Sequence, residues 1–271
     1  MQKRALCAVL CFCLIVGIGS QAAAAESDVK LIVNDAALET EVAVQVCDQT
    51  TYVSYWPIVE ALYPDAVAYW EGDHAVVQAS GLTMNICPTA TYLEVNGRYL
   101  WVPDGFRMSG QVILVPVRVL GQALGATVTW DGTANTVRIQ SGSGPIASGS
   151  QVYQSDVVYW LSRIINAESG NQPLEGKIAV GNVVLNRVAS SIFPDTVYEV
   201  IFQRNQFTPV SNGSIYNTPN AESVIAAKLC LEGANTAGNS LYFVNPRVSP
   251  NSWASRNRPY VATIGAHAFF A

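Results

Sequence analysis

"IINAESGNQPLEG", residues 164–176, sets a glutamate, Glu168, at the end of an apolar helical run and directly before Ser169-Gly170. On a helix that begins near Asp156, Glu168 follows Ile164, Leu161 and Val157 by 4, 7 and 11 residues. Those spacings put it on the apolar stripe, facing inward. Desolvation there favours the neutral acid and raises its pKa. A protonated carboxyl is what glycosidic cleavage requires, because the leaving oxygen must receive a proton. Gly170 ends the helix and leaves the acid at the edge of a cleft. Spacing alone also fits a glutamate whose stem packs while its head reaches solvent.

The pattern around this stretch is mainly helical. Ser155 is placed to cap a helix through about Glu168, with Trp160 and Ile165 also on its apolar face. Residues 175–189 form a second helix with Ile178, Val184, Leu185 and Val188 inward, and Pro194-Asp195 opens a short third. Thr218-Pro219 starts a fourth that ends near Gly233. "SLYFVNP", 240–246, reads as a strand. Upstream, "SGSGPIASGS", 141–150, is a Gly/Ser linker about which two domains are expected to move.

Residues 1–25 carry Lys3 and Arg4, an apolar run from Ala5 to Ile18, and Ala22–Ala25. This is the pattern of a secretory signal peptide cut before Glu26. The rival reading is an uncleaved membrane anchor; the apolar run is shorter than the ~20 residues of a spanning helix, and no stable membrane span is expected after cleavage. Cys7, Cys11 and Cys13 fall in this segment. Of the remaining cysteines, Cys47 and Cys87 are the plausible oxidised pair outside the cytosol, and Cys230 reads as a small buried hydrophobe. Three cysteines with His74 and His267 far apart give no zinc spacing, so neither metal nor cofactor is expected. Residues 26–142 hold 5 basic and 13 acidic residues, and residues 151–271 hold 8 and 7. Neither half is basic enough for nucleic acid.

The first region repeats at an offset of 62. "YVSYWPIVEAL" (52–62) matches "LVPVRVLGQAL" (114–124), and "VND" (33–35) matches "VNG" (95–97). "AVAYWEGDHAVVQASG" (66–81) matches "ATVTWDGTANTVRIQSG" (126–142) near that offset. Each unit reads as strand, turn, short helix and hairpin, with Trp70 and Trp130 ending equivalent strands. Core packing is the plainer role for both tryptophans, and stacking on sugar rings the sharper one. On "VPVRVLGQALGATVTWD" (115–131) the repeat resembles the copper amine oxidase N-terminal-like stalk module of secreted proteins. The first copy departs from it, with Trp56 where the second has Arg118. The resemblance implies no copper.

The second region, from "IINAESGNQPLEGKIAVGNVVLNRV" (164–188) through "FPDTVYEVIFQRNQFTPV", "YNTPNAESVIAAKLCLEG", "LYFVNP" and "RPYVATIGAHAFF" (258–270), resembles the spore-cortex-lytic and cell-wall hydrolase family of SleB–CwlJ type. The resemblance implies cleavage between N-acetylmuramic acid and N-acetylglucosamine in peptidoglycan, with the acid at Glu168. One departure is Asn171, where family members often carry a second glutamate. Among the other carboxylates, Asp156 and Asp195 read as helix-start groups, and Glu199, Glu222 and Glu232 as solvated helix faces. Glu175 is cut off from Glu168 by Gly170 and Pro173. With no evident partner, one-acid lytic transglycosylase chemistry fits better than hydrolysis, which stays open through Glu175.

Gln206, Phe207, Tyr216, Asn217, Tyr242, Asn245, Trp253, Arg258 and Tyr260 mix aromatic faces with amide and guanidinium donors suited to pyranose rings and N-acetyl groups. Packing or turn roles are open for each. Asn186-Arg187 reads as a helix fastener and His267 as a satisfied core histidine. The expected architecture is α+β: a signal peptide (1–25), a duplicated small α+β stalk (26–140), a linker (141–150), and a mainly helical lysozyme/lytic-transglycosylase-like domain with a small sheet (151–271). The expected function is a secreted peptidoglycan-cleaving enzyme of the cell wall or spore envelope. Its partners would be glycan strands and a wall or coat component at the stalk. The alternative is a non-catalytic wall-binding protein. A peptidase lacks its parts, since there is no Cys-His or Ser-His context and no HExxH.

Overall fold

The structure is a computed structural model and describes residues 29–38 and 42–271. The expected signal segment, with its three cysteines and Glu26, lies outside the described residues. Among those described, no helix is long and apolar enough to cross a membrane.

The first half runs β1 (Lys30–Val33), β2 (Ala36–Ala37), β3 (Val44–Cys47), β4 (Thr50–Ser54), α1 (Tyr55–Leu62), β5 (Val67–Glu71), β6 (His74–Ala79) and β7 (Leu82–Ile86). It continues with β8 (Tyr92–Val95), β9 (Arg98–Trp101), β10 (Arg107–Ser109), β11 (Val112–Pro116), α2 (Val117–Ala123), β12 (Thr127–Asp131) and β13 (Thr136–Gln140). The element order recurs. The starts of β1 and β8, β2 and β9, β4 and β11, and α1 and α2 are each 62 residues apart (92−30, 98−36, 112−50, 117−55).

Three sheets cross-connect these elements. β4 and β11 pair antiparallel at the centre of the order β10-β11-β4-β3, with Val53 opposite Val115. The hairpin β5–β6 joins β7 and then β8–β9, while β12–β13 closes on β1–β2 through a parallel β1·β13 ladder. One core of Val, Leu and Ile side chains, including Val53, Ile58, Leu93, Val115 and Leu120, fills the space between them. The alternation of each strand selects those side chains for the inner face.

Three expectations need correction here. Cys47 and Cys87 are free, because Cys47 ends a strand of the central sheet while Cys87 follows β7 in another. Trp70 and Trp130 are 58% and 48% exposed rather than core residues: each stands opposite a core residue, Ala75 or Val137, but on the edge strand of its sheet, where its ring reaches solvent. The 141–150 segment is fastened. Asn96 Nδ2 donates to Ile146 O (2.9 Å), Gly149 N to Asn96 O (2.9 Å) and Ile146 N to Ala123 O (3.3 Å). A Cβ on Gly149 would stand 2.6 Å from Gly97 O, so here glycine permits close packing of the chain instead of a hinge.

The second half comprises α3 (Gly149–Val152), α4 (Ser155–Ser169), α5 (Leu174–Val188), α6 (Val197–Phe202), α7 (Thr208–Asn212), a 3-10 turn (Ser214–Tyr216) and α8 (Ala221–Leu231). After these come β14 (Tyr242–Val244), α9 (Trp253–Asn257), β15 (Tyr260–Ile264) and β16 (His267–Phe270), in sheet order β14-β16-β15. Gln154, not Ser155, is the N-cap of α4, and Asn220 caps α8 through its side chain. α4, α5 and α8 surround a core of Leu161, Ile165, Ile178, Val184 and Leu229. The approach of α5 to α8 depends on Gly181, where a Cβ would lie 2.6 Å from Cys230 Sγ.

The halves meet through side chains. Arg98 reaches Glu232 with Nε–Oε1 and Nη2–Oε2 distances of 2.6 Å each, and Tyr153 OH donates to Glu232 Oε1 (2.7 Å). Tyr92, Tyr99 and Trp101 pack against the helical core. Glu232 was expected on a solvated face; its side chain is 5% exposed because its cation comes from the other half of the chain.

Candidate active site

Glu168 lies in the last turn of α4, below the buried Leu161, Ile164 and Ile165. Half-burial in this apolar setting pushes its pKa up to about 7. The carboxyl has no hydrogen bond or ion pair among the described residues, so nothing holds it ionised.

The backbone around Glu168 is held from three sides. Asn166 Oδ1 accepts from Asn220 N (3.0 Å) and Ser223 Oγ (3.3 Å), and Asn220 Nδ2 donates to Gly170 O (3.1 Å). These bonds tie the end of α4 to the start of α8. Lys177, almost fully buried on α5, donates to Gln172 O (2.6 Å) and pairs with Glu222. Gln172 Oε1 in turn accepts from Ala266 N in the β15–β16 turn (2.8 Å). A short loop so tied is rigid.

The other carboxylates are occupied or remote from the interior. Glu232 is paired with Arg98 and Glu222 with Lys177, while Glu199 accepts from Thr196 Oγ1 at a helix start. Asp156 and Asp195 are exposed. Glu175 sits half-buried in the first turn of α5 and, like Glu168, has no side-chain partner among the described residues.

Several of the expected sugar-binding residues gather at the small sheet. Arg258 lies over Tyr242 (5.1 Å) and Trp253 (5.0 Å), whose rings are 5.5 Å apart. Tyr242 and Tyr260, on the strands either side of β16, both stand opposite Phe270. Arg187 joins Gln206 and Phe207 to this group. It bonds Gln206 Oε1 (3.2 Å) and Leu241 O (2.8 Å), and sits over Phe207 (5.2 Å), Phe193 (4.9 Å) and Tyr242 (5.6 Å). Burial pushes the guanidinium down to about 10, which still leaves it charged. Sequence reading gave Arg187 only a fastening role; its apolar helix neighbours offered no sign of the aromatic rings that converge on it.

Tyr216 and Asn217 belong to a different place. Tyr216 is exposed and meets Trp160 edge-on (6.2 Å), in an aromatic wall with Tyr198 and Phe202. Trp160 precedes Glu168 by two helical turns, about 12 Å along the axis. Asn245 shapes a turn, with its Oδ1 accepting from Arg247 N (3.0 Å). His267 is buried against Phe243 and Phe269, and its Nδ1 has no partner among the described residues. The expectation of a satisfied histidine is thus corrected. Burial lowers its pKa and keeps it neutral.

Comparison with known proteins gives two family matches. Residues 171–270 match the family model described as Cell Wall Hydrolase, and residues 32–139 that described as Copper amine oxidase N-terminal domain. Glu168 stands three residues before the first of these spans. A spore cortex-lytic enzyme of Oceanobacillus iheyensis is 35% identical over 129 residues, covering 48% of this chain and 46% of the relative. One from Bacillus cereus is 36% identical over 133 residues, 48% of this chain and 51% of the relative. The chain thus spans about half the length of the curated relatives it matches. The catalytic domain of the germination-specific lytic transglycosylase SleB from Bacillus anthracis is 36% identical, with a TM-score of 0.42, and is covered in full by 46% of this chain. The second half therefore resembles the spore-cortex-lytic and cell-wall hydrolases, and the first half the copper amine oxidase N-terminal-like module.

Proposed function

We propose that the chain cleaves the glycosidic bond between N-acetylmuramic acid and N-acetylglucosamine in peptidoglycan, as a lytic transglycosylase with Glu168 as its one acid. The observation that carries this reading is an unpaired, half-buried carboxyl whose pKa rises to about 7, in a half that resembles wall-lytic enzymes. Glu168 protonates the leaving glycosidic oxygen as the C1–O bond breaks. The resulting carboxylate takes the proton of the muramyl 6-hydroxyl, whose oxygen closes on C1 as a 1,6-anhydro ring. No water is consumed, so no second carboxylate is required. The Tyr242–Trp253–Arg258 group and Tyr216 supply faces for the sugars, with Gln206, Asn217, Asn245 and Tyr260 as polar neighbours.

In this reading the protein is exported after loss of residues 1–25 and acts in the cell wall or spore envelope. The first half serves as a stalk that engages the wall. Trp130 and Arg118 there line a cleft of about 490 Å³. Mass spectrometry of muropeptides released from purified sacculi and from spore cortex tests the proposal. Anhydro ends that vanish with Glu168→Gln are expected. Ends heavier by one water would mean hydrolysis and direct attention to Glu175. Binding without cleavage would mean a wall-binding protein.

A further inference from the structure

The first half brings the adjacent side chains of Asp73 and His74 together with that of Cys87, which follows thirteen residues later in the chain. β6 and β7 pair antiparallel with Ala75 opposite Ile86. Carried on by one residue, that register sets His74 across from Cys87 on one face of the sheet. The β5–β6 turn delivers Asp73 beside them. Asp73 Oδ1 lies 2.6 Å from His74 Nδ1, and Asp73 Oδ2 lies 3.8 Å from Cys87 Sγ. One ligand atom from each residue falls within 4.8 Å of the other two. Thr89 Oγ1, 3.3 Å from Cys87 Sγ, stands behind the sulfur as a hydrogen-bonding neighbour.

We propose that Asp73, His74 and Cys87 bind a divalent metal ion of the zinc class. Sulfur, imidazole and carboxylate together select a borderline-soft ion over magnesium or calcium, which take oxygen ligands. Ligand atoms around one tetrahedral zinc stand about 3.4–3.6 Å apart, from its bond lengths. The donors here need only small side-chain rotations to reach that spacing, and the side chains of Asp73 and His74 are 77% and 44% exposed, free to make them. Three protein ligands leave the fourth position to water. On binding, the Cys87 thiol gives up its proton to solvent and the thiolate takes the metal. The loaded site ties the β5–β6 turn to the end of β7. A linear spacing rule misses it, because the register of two strands, not a run of sequence, assembles the donors.

The test is titration of the chelator-stripped full chain with Zn²⁺ by calorimetry and with Co²⁺ by absorption. One ion per chain is expected, with a thiolate-to-cobalt band in the near ultraviolet. Cys87→Ser should abolish the band, and both Cys87→Ser and His74→Ala should weaken Zn²⁺ by more than about tenfold, the least that loss of a supporting group costs a metal site. Cys47→Ser, altering the other half-buried thiol, should leave both signals intact. No uptake by the parent chain, or a band that survives Cys87→Ser, overturns the proposal.

Discussion

Arg98 and Glu232, 134 residues apart in the chain, form a two-pronged ion pair at the junction of the two halves, with both N–O distances at 2.6 Å. Glu232 also accepts from Tyr153, so removing either charge leaves the other poorly compensated in a nearly dry setting. Arg98→Ala should lower unfolding stability by about 3–5 kcal/mol, the range for breaking a buried pair. The double change Arg98→Met with Glu232→Gln should recover much of that loss. Urea denaturation of the two single variants and the double variant measures the coupling.

In the proposed role, Glu168 couples pH to activity as well as to stability. In the unfolded chain a glutamate ionises near its ordinary value of 4.5, whereas in the fold it holds its proton to about 7. Between those values the native state binds more protons than the unfolded state, so stability falls as pH rises through this window and levels off above it. Thermal melts from pH 4 to 8 should show that slope in the parent and a flatter profile in Glu168→Gln. Cleavage of sacculi should decline above pH 7 in the parent. In the variant it should drop by at least the ~10²–10⁴-fold attributed to general acid–base assistance.

Gly181 sets the distance between α5 and its neighbours. A Cβ there would stand 2.6 Å from Cys230 Sγ and 2.9 Å from Ile165 Cδ1. Gly181→Ala should therefore destabilise by about 1–3 kcal/mol through overpacking. Adding Cys230→Ala removes the nearer clash and should restore part of the loss. Chemical denaturation midpoints read the difference.

The Gly/Ser segment 141–150 should be protected where it is bonded. The amides of Ile146 and Gly149, which donate to Ala123 O and Asn96 O, should exchange with deuterium markedly more slowly than those of Ser143 and Gly144. Equal, fast exchange along the whole segment would restore the hinge that composition alone suggests.

The helical stripe made Glu168 legible from its spacing, because a period of 3.6 fixes which residues share a face. The 62-residue offset likewise anticipated the positions of α1 and α2, since recurring apolar spacing places recurring elements. Trp70 and Trp130 were not legible in this way. A strand's alternation does not say that the strand will lie at the edge of its sheet, where even an inner-face side chain reaches solvent. Glu232 looked solvated because its cation lies in the other half, and a helix pattern says nothing about what a second domain places against it. The segment 141–150 misled for a related reason: glycine allows freedom, but also allows the chain to lie within 3 Å of a neighbour that would clash with any side chain. Arg187 and His267 show the same limit, since the rings around them come from distant strands and loops.

The Val53–Val115 pairing carries a lesson about autonomy. The two valines are equivalents, and the strand that each occupies uses its counterpart as its nearest partner. The trailing hairpin of each unit also finishes in a sheet begun by its sibling. A single unit cut from this chain would keep its pattern of apolar residues but lose the edges that cover them. Its cheapest remedy would be a second copy of itself, with two like fragments exchanging hairpins across the axis that here runs between Val53 and Val115. A first half with this recurring element order resembles a dimer whose subunits have been sewn together, so that assembly no longer depends on concentration.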